Sequence, residues 1–272
     1  GTRPRACAPP RRAEPRSGAG SPDNGIAAQT APRRRIRSVS PGTGSRRFEF
    51  VFTGPGGHSF GAFGLVSAIH AMGRAITKIA DLETPADPKT TFTVGTVDGG
   101  TSVNSIAADA VFALDMRSND AGELAKLEAR AKEAAQAAVA EENARWNNNG
   151  EITVEFRLIG DRPVGRTPPD SNLVQAAAAA FAATGAELRN LGISSTDSNV
   201  PMSLGIPAIT IGGGGSSGGA HSPEEWYAPG ETAFHGPQLA FLLTLALTGV
   251  EGVTEPLLQQ APASSRWRRW SA

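Results

Sequence analysis

The stretch TVGTVDGGTSVNSIAADAVFALDMR, residues 93–117, sets two alternating apolar runs on either side of a glycine pair. Residues 91–97 and 110–116 read as β segments, because side chains along a strand point alternately to its two faces, and Gly99 and Gly100 mark the turn between them. Before this pair, Leu65, Ile69, Met72, Ile76 and Ile79 recur at helical spacing. After it, residues 121–146 are rich in Ala, Glu and Lys and predict a helix that stops at Asn147, Asn148, Asn149 and Gly150. Further out, Phe48, Phe50 and Phe52 fall on one face of a strand with Glu49, Val51 and Thr53 on the other. Ile152, Val154, Phe156 and Leu158 alternate in the same way with Thr153, Glu155 and Arg157. The order is β-α-β-β-α-β, a ferredoxin-like arrangement in which two helices cover one sheet face and leave the other free.

Beyond a proline-containing connector at 162–170 the composition changes. An Ala-rich helix is expected at 171–184, then a loop, a short apolar strand at 206–211, a glycine loop and a closing helix at 233–247. This reads as part of an α/β layer with too few strands to complete a sheet. The apolar run LAFLLTLALTGV, residues 239–250, is shorter than the ~20 residues a membrane span needs, and is read as a buried helix.

The formal net charge of zero conceals an asymmetry. Residues 1–47 carry eleven Arg against Glu14 and Asp23, and residues 262–272 carry three Arg and no acid, leaving twelve basic and twenty-four acidic residues between. An acidic body argues against nucleic acid as the main partner. The prolines of the Arg-rich leader prevent a continuous amphipathic helix and it lacks a secretory apolar stretch, so it reads as disordered. With no signal or membrane segment visible, the expected compartment is the cytoplasm, with no membrane partner. Cys7, the single cysteine, excludes a disulfide framework and a thiolate metal cluster. The tail with Arg266, Trp267, Arg268, Arg269 and Trp270 reads as a frayed terminus.

Several residues carry chemistry. Gly213, Gly215 and Gly218 satisfy the dinucleotide-binding spacing, but Ala220, His221, Ser222 and Pro223 intervene where a helix should begin, so the loop is not read as a phosphate cradle. His221, followed by Glu224 and Glu225, is a candidate ligand at the end of a loop nearly stripped of side chains; the alternative is a flexible surface loop. His58, in FTGPGGHSFGAFG, is a candidate polar group close to a ligand, or a solvated loop residue. Asn104 and Arg117 could orient a carboxylate together, Arg through two parallel hydrogen bonds; the alternative pairs Arg117 with Asp115. His70 and His235 sit in helical patterns and are read as structural.

Taken in order, GPGGHSFGAFG, TVGTVDGGTSVNSIAADAVFALDMR, STDSNVPMSLGIPAITIGGGG and GGAHSPEEWY resemble the metal-dependent amidohydrolase family that includes aminoacylase, carboxypeptidase G and peptidase T. The resemblance implies a ferredoxin-like lid and dimerisation domain plus a partial α/β zinc-exopeptidase-like catalytic domain. It divides the chain into a disordered leader at 1–46, the lid at 47–162, the C-terminal half of the catalytic domain at 163–252 and a tail at 253–272. It implies two zinc ions in a complete enzyme, a small peptide or N-acyl amino acid substrate, and a homodimer through the lid. Residue by residue, His58 matches a lid histidine that reaches a partner subunit's site to stabilise an oxyanion. Asn104 and Arg117 match the pair that holds the substrate carboxylate, His221 a metal-binding histidine, and Asp197 a loop acid beside the site. The family's N-terminal half supplies the other metal ligands and the catalytic Glu, whereas residues 1–46 contain no His, one Asp and one Glu. The expectation is therefore an incomplete hydrolase, inactive alone, with a non-catalytic dimerisation module as the alternative and a second chain supplying the missing ligands as a third reading.

Overall fold

The computed structural model describes residues 35–184 and 187–258; the leader up to residue 34, with Cys7, and the Arg/Trp tail from residue 259 lie outside the described residues. Strand β1 (Arg35–Gly42) leads directly into β2 (Gly44–Thr53), the two-residue β3 (Gly57–His58), α1 (Ala68–Ala80), β4 (Thr90–Gly99), the two-residue β5 (Ser105–Ile106), β6 (Asp109–Ser118), α2 (Ala121–Arg145) and β7 (Thr153–Arg162). The chain continues through β8 (Gly165–Arg166), α3 (Asn172–Ala183), β9 (Glu187–Ser194), α4 (Asn199–Ser203) and β10 (Thr210–Ile211). It then forms β11 (Ser216–Gly218), β12 (Trp226–Ala228), a 3-10 turn at Gly230–Thr232 and α5 (His235–Thr248).

The first sheet has the order β4-β6-β2-β7 with every neighbour antiparallel, the split arrangement expected from the hydrophobic pattern. Phe48, Phe50 and Phe52 of β2 and Ala110, Phe112, Leu114 and Met116 of β6 are buried on one face, as their alternation dictates. Phe50 stacks on Phe112 at 4.6 Å and meets Phe156 edge-on at 5.1 Å. Two helices roof this face. Helix α1 contributes Ala68, Ala71, Met72, Ala75 and Ile79, and α2 contributes Leu124, Leu127, Ala131, Ala135 and Ala138; the alanines let the helices sit close. Helix α2 begins where the Asp120 carboxylate accepts from the Glu123 N–H at 2.9 Å, and stops as Asn147 and Asn148 turn to positive φ.

Between the helices lies Glu142, fully buried. It accepts from the Ser67 N–H at 3.3 Å, Arg74 Nε at 3.1 Å and Trp146 Nε1 at 3.1 Å, and His70 Nδ1 lies 3.5 Å away. This cluster ties the start of α1 to the end of α2; the His70 ring stands at its edge and is itself 63 % exposed. His235 is also buried, beside the Phe234 ring at 4.0 Å.

The second sheet corrects three expectations. β1 is its centre, parallel to β9 on one side and antiparallel to β10 and β8 on the other, so residues 35–46 do not belong to the leader expected at 1–46. The presumed loop after α3 contains β9, and the expected strand at 206–211 shrinks to Thr210–Ile211. Local apolar pattern missed β1 because RIRSVSPG is polar and ends in a Pro and a Gly; its partners lie more than 100 residues away in sequence. α3 and α5 pack against each other through Ala177, Ala180, Phe181, Leu239 and Leu243. The glycine loop folds as the β11–β12 hairpin rather than opening into a helix. Among the described residues no helix is long and apolar enough to cross a membrane.

Candidate functional site

Two short bridges build one end of the lid. β3 pairs with β5, placing His58 opposite Ser105, and the Ser59 N–H donates to the Asn104 carbonyl at 3.0 Å. His58 and Asn104 are thereby neighbours across 46 residues of sequence, both exposed. The backbone N–H groups of Phe60 and Gly61 donate to His58 Nδ1 at 3.3 and 3.2 Å. In the neutral ring this leaves the proton on Nε2, aimed away from the loop as a hydrogen-bond donor. Asn104 Oδ1 accepts from Ser102 Oγ at 2.7 Å, which fixes the amide and leaves its NH2 for a ligand. Phe60, Phe63 and Val103 surround this end and are 89, 78 and 103 % exposed, an apolar rim around two polar groups.

Arg117 stands at the opposite end of the same sheet. It lies near the far end of β6, paired in register with Ser45 and Thr91, about eight residues from the turn that carries Asn104, or roughly 27 Å along the strand. Asn104 and Arg117 are therefore not brought together within one chain. The Asp115 carboxylate bridges two arginines, accepting from Arg47 Nε and Arg117 Nε at 2.7 Å each. Burial pushes the Asp115 carboxyl up, but the hydrogen bonds from Arg47 and Arg117 outweigh it and hold it below its ordinary value. Arg117 keeps its Nη groups without a hydrogen-bond partner among the described residues. It lines a cleft of about 360 Å³ with Thr43, Lys89, Thr91, Asn119 and Ser194–Ser195, at the junction of the two sheets. Two cations and several hydroxyl and amide groups suit a small carboxylate. Lys89 gave no sequence signal.

Asp197 lies at the same junction, where its exposed carboxylate accepts from Arg162 Nη2 at 2.9 Å; Arg162 Nη1 also reaches the Ser195 carbonyl at 3.3 Å. The residue of this segment that sequence reasoning missed is Asn199, whose side chain is fully buried. Its motif neighbour, the acid, drew attention because acids bind ligands; a buried amide leaves no such mark.

His221 sits in the turn between β11 and β12 at φ +64°, a left-handed conformation that costs a non-glycine residue, and it is exposed. Its N–H donates to Glu225 Oε2 at 3.3 Å, so the nearest carboxylate is turned to the loop backbone. Among the described residues no three His, Cys, Asp or Glu side chains converge to hold a metal ion. A catalytic zinc needs three protein ligands or more, so the donor set around His221 does not fit the zinc that the resemblance implies.

Comparison with known proteins agrees with this architecture. Residues 43–143 match the model of the peptidase dimerisation domain. Among solved structures the chain is similar to aminopeptidase PepT from Bacillus cereus ATCC 10987, with 21% identity, TM-score 0.57, and 76% of this chain and 52% of that one covered. It is similar to a tripeptidase from Staphylococcus aureus at 17% identity and TM-score 0.60 over 76% of this chain and 52% of that. A hydantoinase/carbamoylase family amidase from Burkholderia vietnamiensis gives 21% identity and TM-score 0.60 over 76% and 48%. At such identities the likeness is one of fold, and the chain spans about half the length of these structures. No curated protein matches it in sequence. Residues 43–143 are thus similar to a peptidase dimerisation domain, and the fold shared with these peptidases and amidases continues beyond it.

Proposed function

We propose that this chain forms the lid and a C-terminal α/β layer of a hydrolase of peptide or amide bonds in small substrates that end in a carboxylate, and that it works as a homodimer. The observation that carries this reading is the separation of His58 and Asn104 from Arg117. An extended dipeptide spans about 7 Å, whereas roughly 27 Å of strand divide the two ends of the lid. One copy cannot apply both ends to one small substrate. Two copies can, if His58 and Asn104 of one reach the Arg117 cleft of the other. The exposed Phe60, Phe63 and Val103 supply apolar area for such a contact.

In that composite site Arg117 and Lys89 hold the substrate carboxylate, the Asn104 amide orients it, and the His58 Nε2–H donates to the oxygen on which negative charge develops. His221 is the metal ligand assigned by resemblance, but no step is derived through zinc, because the described residues do not assemble its ligands. In this reading donors from elsewhere complete the site, and the chain alone does not turn over. The same shortage of donors favours a second reading, a dimerisation module without catalysis.

Light scattering and titration with N-acetyl amino acids distinguish these readings. The composite site predicts a dimer that binds the carboxylate, with binding weakened in both Arg117→Ala and Asn104→Ala and recovered in part on mixing the two variants. A dimer that binds nothing favours the module, and a monomer sinks the composite site. Zinc content with His221→Ala as control tests the donor set: metal that is bound, and lost in the variant, would mean that further ligands complete the site.

A further inference from the structure

The two sheets are joined by two short crossings, Thr43 between β1 and β2 and Pro163–Val164 between β7 and β8. The side chain of Asn199 meets both. Its Nδ2 donates to the Thr43 carbonyl at 2.8 Å and to the Pro163 carbonyl at 2.9 Å, while Oδ1 accepts from the Thr196 N–H at 3.0 Å. Both amide protons and the amide oxygen are thus committed, in a side chain with no exposed surface. The fit excludes anything larger alongside. A Cβ on Gly42 would lie 2.6 Å from the Asn199 carboxamide, and one on Gly165 would lie 2.5 Å from Met202 Cβ.

The same crossing is wired to the Arg117 cleft. The Thr43 N–H donates to the Ser194 carbonyl at 2.9 Å and its hydroxyl to Asn119 Oδ1 at 2.7 Å, and Thr43, Asn119 and Ser194 all line that cleft. We infer that the Asn199 carboxamide is the latch that fixes the orientation of the four-stranded lid sheet on the second sheet, and with it the width of the cleft beside Arg117. Asn199 is a positioning residue: it touches both connections and lies outside the cleft lining. The inference rests on the geometry of the crossings and is independent of any reaction.

The test uses the full chain with Cys7→Ser and spin labels at Glu133→Cys on α2 and Ala240→Cys on α5, both exposed. The expected result is one narrow distance distribution, broadened at least twofold in width by Asn199→Ala while the near-ultraviolet dichroism of the lid phenylalanines is kept. Gly42→Ala, which leaves Asn199 in place and pushes on it, should broaden the distribution too. Combined with Asn199→Ala it should add nothing, because the truncated side chain leaves room for the new methyl. Gly42→Ala carries the same prediction if Asn199→Ala lowers the yield of folded chain. Distributions that stay narrow in the folded variants, or a double variant broader than either single one, would overturn the latch.

Discussion

The lid and the second layer use similar residues to different effect. In the lid, one continuous core runs from the β2 and β6 phenylalanines to the alanines of α1 and α2, and each helix shows its polar face to water. In the second layer the apolar groups gather in two small clusters, while Phe241, Phe234, Trp226 and Tyr227 stand half or more exposed. Helix α5 is apolar around its circumference but buries only His235, Gly236, Leu239 and Leu243. A helix of that kind is built to be covered on more than one side. The difference teaches that cooperativity resides in the lid, and that the second layer leans on it through the crossings beside Asn199.

The largest expected effect tests that difference directly. Phe112→Ala should cost about 3–5 kcal/mol, since a buried aromatic leaves both lost burial and a cavity in surroundings that cannot relax. Phe181→Ala, at a position equally inaccessible, should cost clearly less, because its cluster is small and open to collapse. Urea unfolding of both variants decides the matter. Equal losses would break the comparison.

Next in size is Glu142→Ala. It strips the acceptor from the Ser67 N–H and Trp146 Nε1 and leaves Arg74 unpaired, which should cost about 2 kcal/mol or somewhat more. Slower exchange of the α1 and α2 amides in the parent than in the variant would place that loss in the lid. A loss confined to α3 and α5 would contradict it.

How much of this was legible in the sequence follows from where the information lies. The lid was readable because its periodicities are local: Phe48, Phe50, Phe52 and Met72, Ile76, Ile79 announce their faces within a few residues. β1 and β9 were not, because a polar strand beside a parallel partner 150 residues away has no local signature. For the site, the histidine and asparagine of one end could be named from motif, but their distance from Arg117 depends on β6 running the full depth of the sheet. The ion pair between Arg117 and Asp115 was foreseeable, as neighbours two apart on a strand share a face; the role of Asn199 needed both crossings in space.

A smaller effect concerns pH. Asp115 and Glu128 both titrate below their ordinary values. For Glu128, burial raises the value, but hydrogen bonds from Lys132 and Arg46 outweigh it and hold the carboxyl below its ordinary value. A carboxylate depressed by folding contributes stability that is present above its unfolded value near ~4 and lost as pH falls through its folded value. Both pairs are partly exposed, so solvent limits each to about 1 kcal/mol or less. Unfolding free energy should therefore decline below about pH 4, and by less in Asp115→Asn than in the parent. An unchanged acid slope in that variant would remove Asp115 from the account.

The smallest effect has the opposite sign. His221 holds φ +64° in a turn where its ring is exposed, so the fold gains little burial from it and bears the cost of a left-handed residue. His221→Gly removes that cost, since glycine adopts positive φ freely, although the looser unfolded chain offsets part of the gain. A net rise of about 0.5 kcal/mol in the stability of the second layer is expected, measured by thermal unfolding of the full chain. A rise would mean that the conformation of His221 is kept for something other than stability, as strained residues at ligand sites are. A fall would mean that the ring itself supports the β11–β12 hairpin, and the reading of this turn as a ligand position would lose its physical ground.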